Sequence, residues 1–206
     1  LATPTAIMVG MGRGASSGLL IRNADALERA HRIDTVVFDK TGTLTEGKPT
    51  VASLSAIGIS ENKLIELAAA AEASSEHPLA GAVLAEARAR NIDIPSAIAV
   101  IAVPGRGITA TIDGAKITVG SAEFVLAESS AGYDFTEQSF AISERGETVL
   151  GVVKDGEPVG FIGVSDTVKS GASKTIRQLA DRGIHTVMLT GDNQRTADKI
   201  AQLIGI

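Results

Sequence analysis

The sequence predicts an α/β protein, a parallel-sheet unit interrupted by an inserted α+β unit built on an antiparallel sheet. Three observations predict it. Near each end, an apolar β-branched run closes on an aspartate, "TVVFD" at 35–39 and "IHTVMLTGD" at 184–192, with helical segments on either side. From Ile98 to Val164 the pattern changes to short β-branched runs broken by Gly and Asp. Two Asp-Gly pairs, at 113–114 and 155–156, have the composition of tight hairpin turns.

The elements follow in order. The opening "LATPTAIMVGMGRGA" is apolar, rich in small residues, and stops at Arg13. It falls short of the roughly 20 apolar residues of a membrane span and lacks the basic start of a signal peptide. It reads as a surface helix or as the end of a longer apolar helix, and a chain opening on Leu reads as a piece of a longer one. Residues 16–34 predict a helix around "NADALERAHRI", with Asn23 or Asp25 as its cap. "TVVFD" lacks alternation, which predicts a strand buried on both faces. "SENKLIELAAAAEA" is a helix with Ser60 as N-cap, and "LAGAVLAEARARN" is a second helix after "SSEHP". The strand-rich stretch holds "GITATIDG", "AKITVG", "TVLGVVKDG" and "PVGFIGVSD". "ASKTIRQLADRG" is a helix ended by Gly183, then comes the second buried strand, and "QRTADKIAQLIGI" is the last helix. The joints between the two units are expected near Lys48–Thr50 and Glu157–Pro158.

Composition narrows the function. The chain has 206 residues, enough for one large domain or two small ones. Aromatics are 3% with no Trp, so the core must be aliphatic. A net charge of −5 argues against a nucleic-acid binder that works by neutralising phosphates. With no cysteine there is neither a disulfide nor a thiolate metal site, and redox conditions do not constrain the compartment. No "GxxxxGKT" loop is present, which disfavours a P-loop enzyme.

Ligands of open α/β sheets bind at the carboxyl ends of the strands, where Asp39 and the Thr190-Gly191-Asp192 turn both fall. Adjacent parallel strands would bring them together. A carboxylate there can cap the next turn, or it can attack phosphorus and form an aspartyl phosphate. Gly42 lets the backbone bend so that N–H groups face phosphoryl oxygens. Lys40, Thr41, Thr43 and Thr190 supply charge and hydroxyls.

The run "DKTGTLT" at 39–45 resembles the phosphorylation motif of the P-type cation-transporting ATPases, which have the haloacid-dehalogenase-like fold. "TGDN" at 190–193 resembles that family's second phosphorylation-domain motif. The resemblance implies that Asp39 accepts the γ-phosphoryl group of ATP. It implies that the Asp39 carboxylate and the Thr41 carbonyl bind Mg²⁺, that Thr190 holds the phosphoryl group, and that Asp192 supports the nucleotide and the loop. Soluble phosphatases of this fold usually carry a second Asp two residues after the nucleophile, as general acid and base. Here that place is Thr41, which predicts a phosphoenzyme that persists.

"SSEHPLAGAVL" resembles the heavy-metal-transporting P-type ATPases, and the resemblance extends over essentially the whole chain. It implies that His77 contacts the adenine region of ATP, with Pro78 at the helix start and Glu72 near the adenine amino group. "VPGRGI" at 103–108 resembles the family's glycine pair, so Gly105 and Gly107 would let the backbone approach the nucleotide. Gly120-Ser121 stands where the family usually has Gly-Asn, which puts the Ser121 contact in question. Asp166 and Lys169, in "SDTVKSGA", fall where the insert returns, with Asp166 at the hinge and Lys169 toward the phosphate. His31 and His185 match no motif.

The resemblance implies residues 1–21 as a membrane-helix exit and 22–49 plus 159–206 as a phosphorylation domain. Residues 50–158 would be the nucleotide-binding domain. It implies a place on the cytoplasmic face of a membrane protein. The partners would be ATP, a transported heavy-metal ion, and the membrane and actuator domains of the same pump. The family continues beyond the equivalent of residue 206 into a "GDGxNDxP" loop that binds Mg²⁺, so this stretch by itself is not expected to pump. The opening segment resembles copper(I) pumps, where zinc and cadmium pumps more often show "STP". Two rivals remain at this stage, a soluble phosphatase of the same fold and a non-catalytic nucleotide-binding module.

Overall fold

A computed structural model describes residues 2–130, 136–192 and 194–206. Helices α1 (Ala2–Ser16) and α2 (Ala24–Ala30) precede strand β1 (Thr35–Asp39). A single π-type turn over Lys40–Leu44 leads to β2 (Thr50–Ala56). Helices α3 (Glu61–Glu72) and α4 (Pro78–Ala89) follow, then β3 (Ile98–Val103), β4 (Gly107–Ile112) and β5 (Ala115–Gly120). Two short helices, α5 (Ala122–Ala127) and α6 (Thr136–Ser143), lead to β6 (Thr148–Lys154) and β7 (Glu157–Ser165). The chain then runs through α7 (Ala172–Ala180), β8 (His185–Leu189) and α8 (Gln194–Ile204).

The strands form two sheets. β1 and β8 pair in parallel, with Asp39 opposite Leu189. The other six form an antiparallel sheet in the order β2-β7-β6-β5-β4-β3. Both Asp-Gly pairs close two-residue hairpins. Asp113 and Gly114 have φ of 50° and 81°, and Asp155 and Gly156 have φ of 51° and 83°. Positive φ at both central residues matches the right-handed twist of the strands they join.

The main core lies between one face of the large sheet and helices α3 and α4. Leu64, Ile65, the Ala68–Ala71 run and Val83 pack against Ile108, Ile117, Val119, Leu150 and Ile162. The small alanines let α3 approach the sheet closely. Its first turn is held by Ser60, whose side chain accepts from the Lys63 N–H. A second, smaller cluster joins Leu44, Ala172, Ile176, Ile200 and Ile204 to Phe38 and Met188. Thus α7 and α8 cover one face of the parallel pair.

Several expectations are corrected. β1 and β8 are not buried on both faces: Phe38 and Met188 turn toward α7 and α8, while Val37 is 59% and Leu189 62% exposed. The reason is that the helices reach only one face of the pair. The insert does not end at Glu157–Pro158. β7 pairs with β6 and β2 along its whole length, Ser165 still facing Thr50, so the chain leaves the large sheet only after Ser165. The helix expected over 16–34 shortens to α2, capped by Asn23 rather than Asp25, the Asn23 side chain accepting from the Ala26 N–H. Strand β2 and helices α5 and α6 were not foreseen by the pattern. Among the described residues no helix is long and apolar enough to cross a membrane. His31 and His185 are exposed.

Candidate active site at the strand ends

Parallel pairing of β1 with β8 sets Asp39 beside Leu189, so Thr190 follows directly at the same sheet rim. The turn after Asp39 closes on its own backbone. Gly42 takes φ of 76°, its N–H donates to Thr45 Oγ1 at 3.2 Å, and the Thr45 N–H donates to the Lys40 carbonyl at 3.1 Å. Asp39 itself is exposed and forms no side-chain cap to that turn. The capping alternative therefore has no bond to support it. Thr41 and Thr43 are exposed on the same turn.

Lys40 does not face outward as a free charge. It is 8% exposed, and its ammonium donates to Asp192 Oδ2 at 2.5 Å. The same oxygen accepts from Thr190 Oγ1 at 3.0 Å, and Thr190 Oγ1 accepts from the Asp192 N–H at 3.1 Å. The other oxygen, Oδ1, accepts from Thr148 Oγ1 at 2.9 Å. Asp192 thus ties the ends of β1 and β8 together. A charge-assisted pair this deeply enclosed is costly to break, since the survivor is left unpaired in poor solvent. Gly191 is exposed, with open space where a side chain would stand. Asn193, the last residue of "TGDN", lies outside the described residues.

The two crossings between the units are laced together. Asp166 accepts from Thr45 Oγ1 at 2.6 Å and from the Lys48 N–H at 3.1 Å. The Lys169 ammonium donates to the Gly42 carbonyl at 2.6 Å, so it meets the turn after Asp39. Asp166 thus bonds the two crossings to each other, and Lys169 reaches the turn after Asp39.

In the insert, Glu72, Ser75 and His77 form one cluster at the α3–α4 junction. Glu72 is 6% exposed, and burial pushes its carboxyl above the ordinary glutamate range, with Ser75 and His77 pulling it partly back. His77 is the N-cap of α4. Its Nδ1 accepts from the Leu79 N–H at 3.3 Å, which in the neutral ring leaves the proton on Nε2. Pro78 follows at the first helical position, where no N–H is needed.

The glycines form a second cluster, and here packing is the reason for two of them. Gly107 and Gly120 face each other across β4 and β5. A Cβ on Gly107 would stand 2.2 Å from the Val119 carbonyl oxygen, and one on Gly120 would stand 2.4 Å from that of Arg106. Gly105 differs: its φ is 72°, with open space around it. Ser121 caps α5, its hydroxyl accepting from the Phe124 N–H at 3.3 Å. Among the described residues no hydrogen bond joins either insert cluster to Asp39, and no group of three or more His, Asp or Glu is gathered as a metal cage. Thr148 was missed by sequence reasoning, because nothing local marks a threonine opening a strand as the partner of a residue 44 positions away.

Comparisons with known proteins agree with this geometry. Residues 33–206 match the family of haloacid dehalogenase-like hydrolases. The whole chain is 42% identical over 206 residues to the copper-exporting P-type ATPase of Staphylococcus haemolyticus (strain JCSC1435), covering 25% of it. It is 42% identical over 209 residues to the silver exporting P-type ATPase of Salmonella typhimurium, again 25% of that protein. The crystal structure of a zinc-transporting PIB-type ATPase in its E2.Pi state aligns with a TM-score of 0.72 and 38% identity, over 99% of this chain and 33% of that one. The chain therefore spans about a quarter of the length of the curated relatives it matches. A match that takes in both strands of the parallel pair and everything between them leads to one conclusion: the chain belongs to the haloacid dehalogenase-like hydrolases, and along its whole length it is similar to heavy-metal P-type ATPases.

Proposed function

We propose that this chain is the ATP-binding and phosphorylation portion of a heavy-metal pump on the cytoplasmic face of a membrane, with copper(I) as the exported ion. The observation that carries the reading is the bare, exposed carboxylate of Asp39 at the end of β1, beside Thr190. Residues 1–21 lead in from the membrane part, 22–49 and 166–206 form the phosphorylation unit, and 50–165 hold the nucleotide.

An Asp39 carboxylate oxygen attacks the γ-phosphorus of ATP. A phosphorus–oxygen bond to the carboxylate forms, the bond to the β–γ bridging oxygen breaks, and ADP leaves with that oxygen. A carboxylate nucleophile needs no base to remove a proton. Thr41, two residues on, cannot activate water efficiently, so the acyl phosphate survives long enough to drive transport. The Asp39 carboxylate and the Thr41 carbonyl are hard oxygen donors of the kind Mg²⁺ takes alongside water and phosphate oxygens, and the ion would offset phosphate charge there. Lys40 is taken up by Asp192, so its part is to fix the nucleophile's strand end rather than to touch phosphate. In the insert, the Nε2–H of the exposed His77 and the Glu72 carboxyl, whose hold on its proton burial strengthens, suit an adenine ring, and Gly105 leaves room for close backbone approach. Gly107, Gly120 and Ser121 shape that wall by packing and capping.

The test is labelling of the full-length protein with γ-labelled ATP. An acid-stable, hydroxylamine-sensitive phosphoenzyme is expected, stimulated by Cu(I) and lost in Asp39→Asn. Label that survives Asp39→Asn sinks the reading. Stimulation by Zn²⁺ instead changes only the ion.

A further inference from the structure

The insert touches the phosphorylation unit away from the two crossings, at the loop between α6 and β6. Glu147 braces this loop from within the insert. Its buried carboxylate accepts from Arg145 Nε at 2.8 Å and from the Ser53 hydroxyl, and Arg145 Nη2 donates to the same Ser53 oxygen at 2.9 Å. Gly163 makes room for this triad, since a Cβ there would stand 2.0 Å from Glu147 Oε2. With its carboxylate turned inward, Glu147 presents its carbonyl to α8, where the fully buried Thr196 hydroxyl donates to it at 3.1 Å. Next to Thr196 in sequence, the Arg195 guanidinium lies 4.8 Å from the centre of the Phe140 ring of α6. Thr148, next along, reaches Asp192 Oδ1 at 2.9 Å.

We propose that Thr148 is a positioning residue: through its hydrogen bond to Asp192 the docked insert holds the Lys40–Asp192 pair, and with it the strand end that carries Asp39. Asp192 has two oxygens and three side-chain donors, and each donor comes from a different segment. Lys40 and Thr190 belong to the phosphorylation unit and share Oδ2. Among the described residues Thr148 alone brings the insert to this carboxylate, and it bonds Oδ1. Removing its hydroxyl leaves Oδ1 without that donor in a mostly buried place, so the carboxylate turns to find another partner. Lys40, adjoining Asp39, then loses its fixed anchor. The insert's position is in this way communicated to the nucleophile by a side chain that touches neither nucleotide nor phosphate.

The catalytic part of this proposal rests on Asp39 as the phosphoryl acceptor, so the experiment has two independent arms. In the first, the cysteine-free chain receives spin labels at Arg88→Cys and Asp181→Cys, both exposed sites on opposite units. Distances between them are measured by pulsed electron resonance. The parent should give a narrow distribution, Thr148→Val a broad one, and Thr148→Ser a narrow one again. In the second arm, phosphoenzyme formation is timed in the full-length protein. Thr148→Val should slow it about tenfold, the effect of one lost hydrogen bond to a charged group, with ATP affinity within about twofold and with rescue by Thr148→Ser. Unchanged distances and unchanged rates in Thr148→Val overturn the proposal. So does a slowing that Thr148→Ser fails to rescue, because the hydroxyl is then not the cause. If the parent and Asp39→Asn label alike, the acceptor reading has failed instead, and the distance arm still decides whether Thr148 holds the two units together.

Discussion

The two sheets of this chain are built to opposite standards. The six-stranded sheet carries a dense aliphatic core beneath α3 and α4, with Leu64, Ile65, Ile117 and Ile162 wholly buried. Among the described residues the parallel pair has helices on one face only, and Val37, Val187 and Leu189 stand open on the other. Yet Asp39, the proposed phosphoryl acceptor, lies on the thinly covered pair, and the well-packed sheet is the proposed nucleotide holder. The difference teaches that the chain around Asp39 is placed less by burial than by polar ties: Lys40 to Asp192, Thr45 to Asp166, Lys169 to Gly42.

That contrast can be broken by substitution. The largest effect should come from Ile65→Ala, which hollows the main core and should cost about 4 kcal/mol in urea unfolding followed by circular dichroism. Gly107→Ala should cost about 3 kcal/mol, because its Cβ would collide with the backbone of β5. Gly105→Ala has only its φ of 72° to resist it and should cost about 1 kcal/mol, with any further loss appearing in ATP affinity. Val37→Ala should cost roughly 0.5 kcal/mol, its side chain being mostly in solvent already. Equal costs for Val37→Ala and Ile65→Ala would abolish the distinction between the sheets.

A pH series sharpens the comparison further. Burial keeps the proton on Glu72 in the folded chain at pH values where the unfolded chain has released it. The folded state then binds more protons, so this group's contribution to stability falls as pH rises from the ordinary glutamate value through the raised one. Glu72→Gln should flatten that part of the stability–pH curve. A curve with the same slope in Glu72→Gln and the parent rules out the buried carboxyl as its source.

Much of the fold could be read from local chemistry. Ser60 and Gly183 ended helices where capping rules put them, and the two Asp-Gly pairs closed hairpins because their residues tolerate positive φ. Asp39 and Thr190 came together because parallel pairing leaves little choice. What could not be read depended on partners distant in sequence. An unbroken apolar run such as "TVVFD" says that a strand suits burial, not whether helices reach both its faces. "PVGFIGVSD" looks the same whether it belongs to one sheet or the other, and only its pairing with β2 assigns it. "TVASLSA" is too rich in small polar residues to declare itself a strand. The glycines at 107 and 120 were legible as glycines, but their mutual crowding was not, since it needs the register of β4 on β5.

The insert enters along β2 and departs along β7, neighbours in one ladder with Thr50 directly across from Ser165. Its two termini therefore meet at a doorway one strand spacing wide, stitched shut by Asp166. A module mounted on such a doorway can be cut out and the gap bridged by a short turn, or exchanged for another, but its removal also takes away the Thr148–Asp192 and Thr196–Glu147 bonds that seat it beside β8.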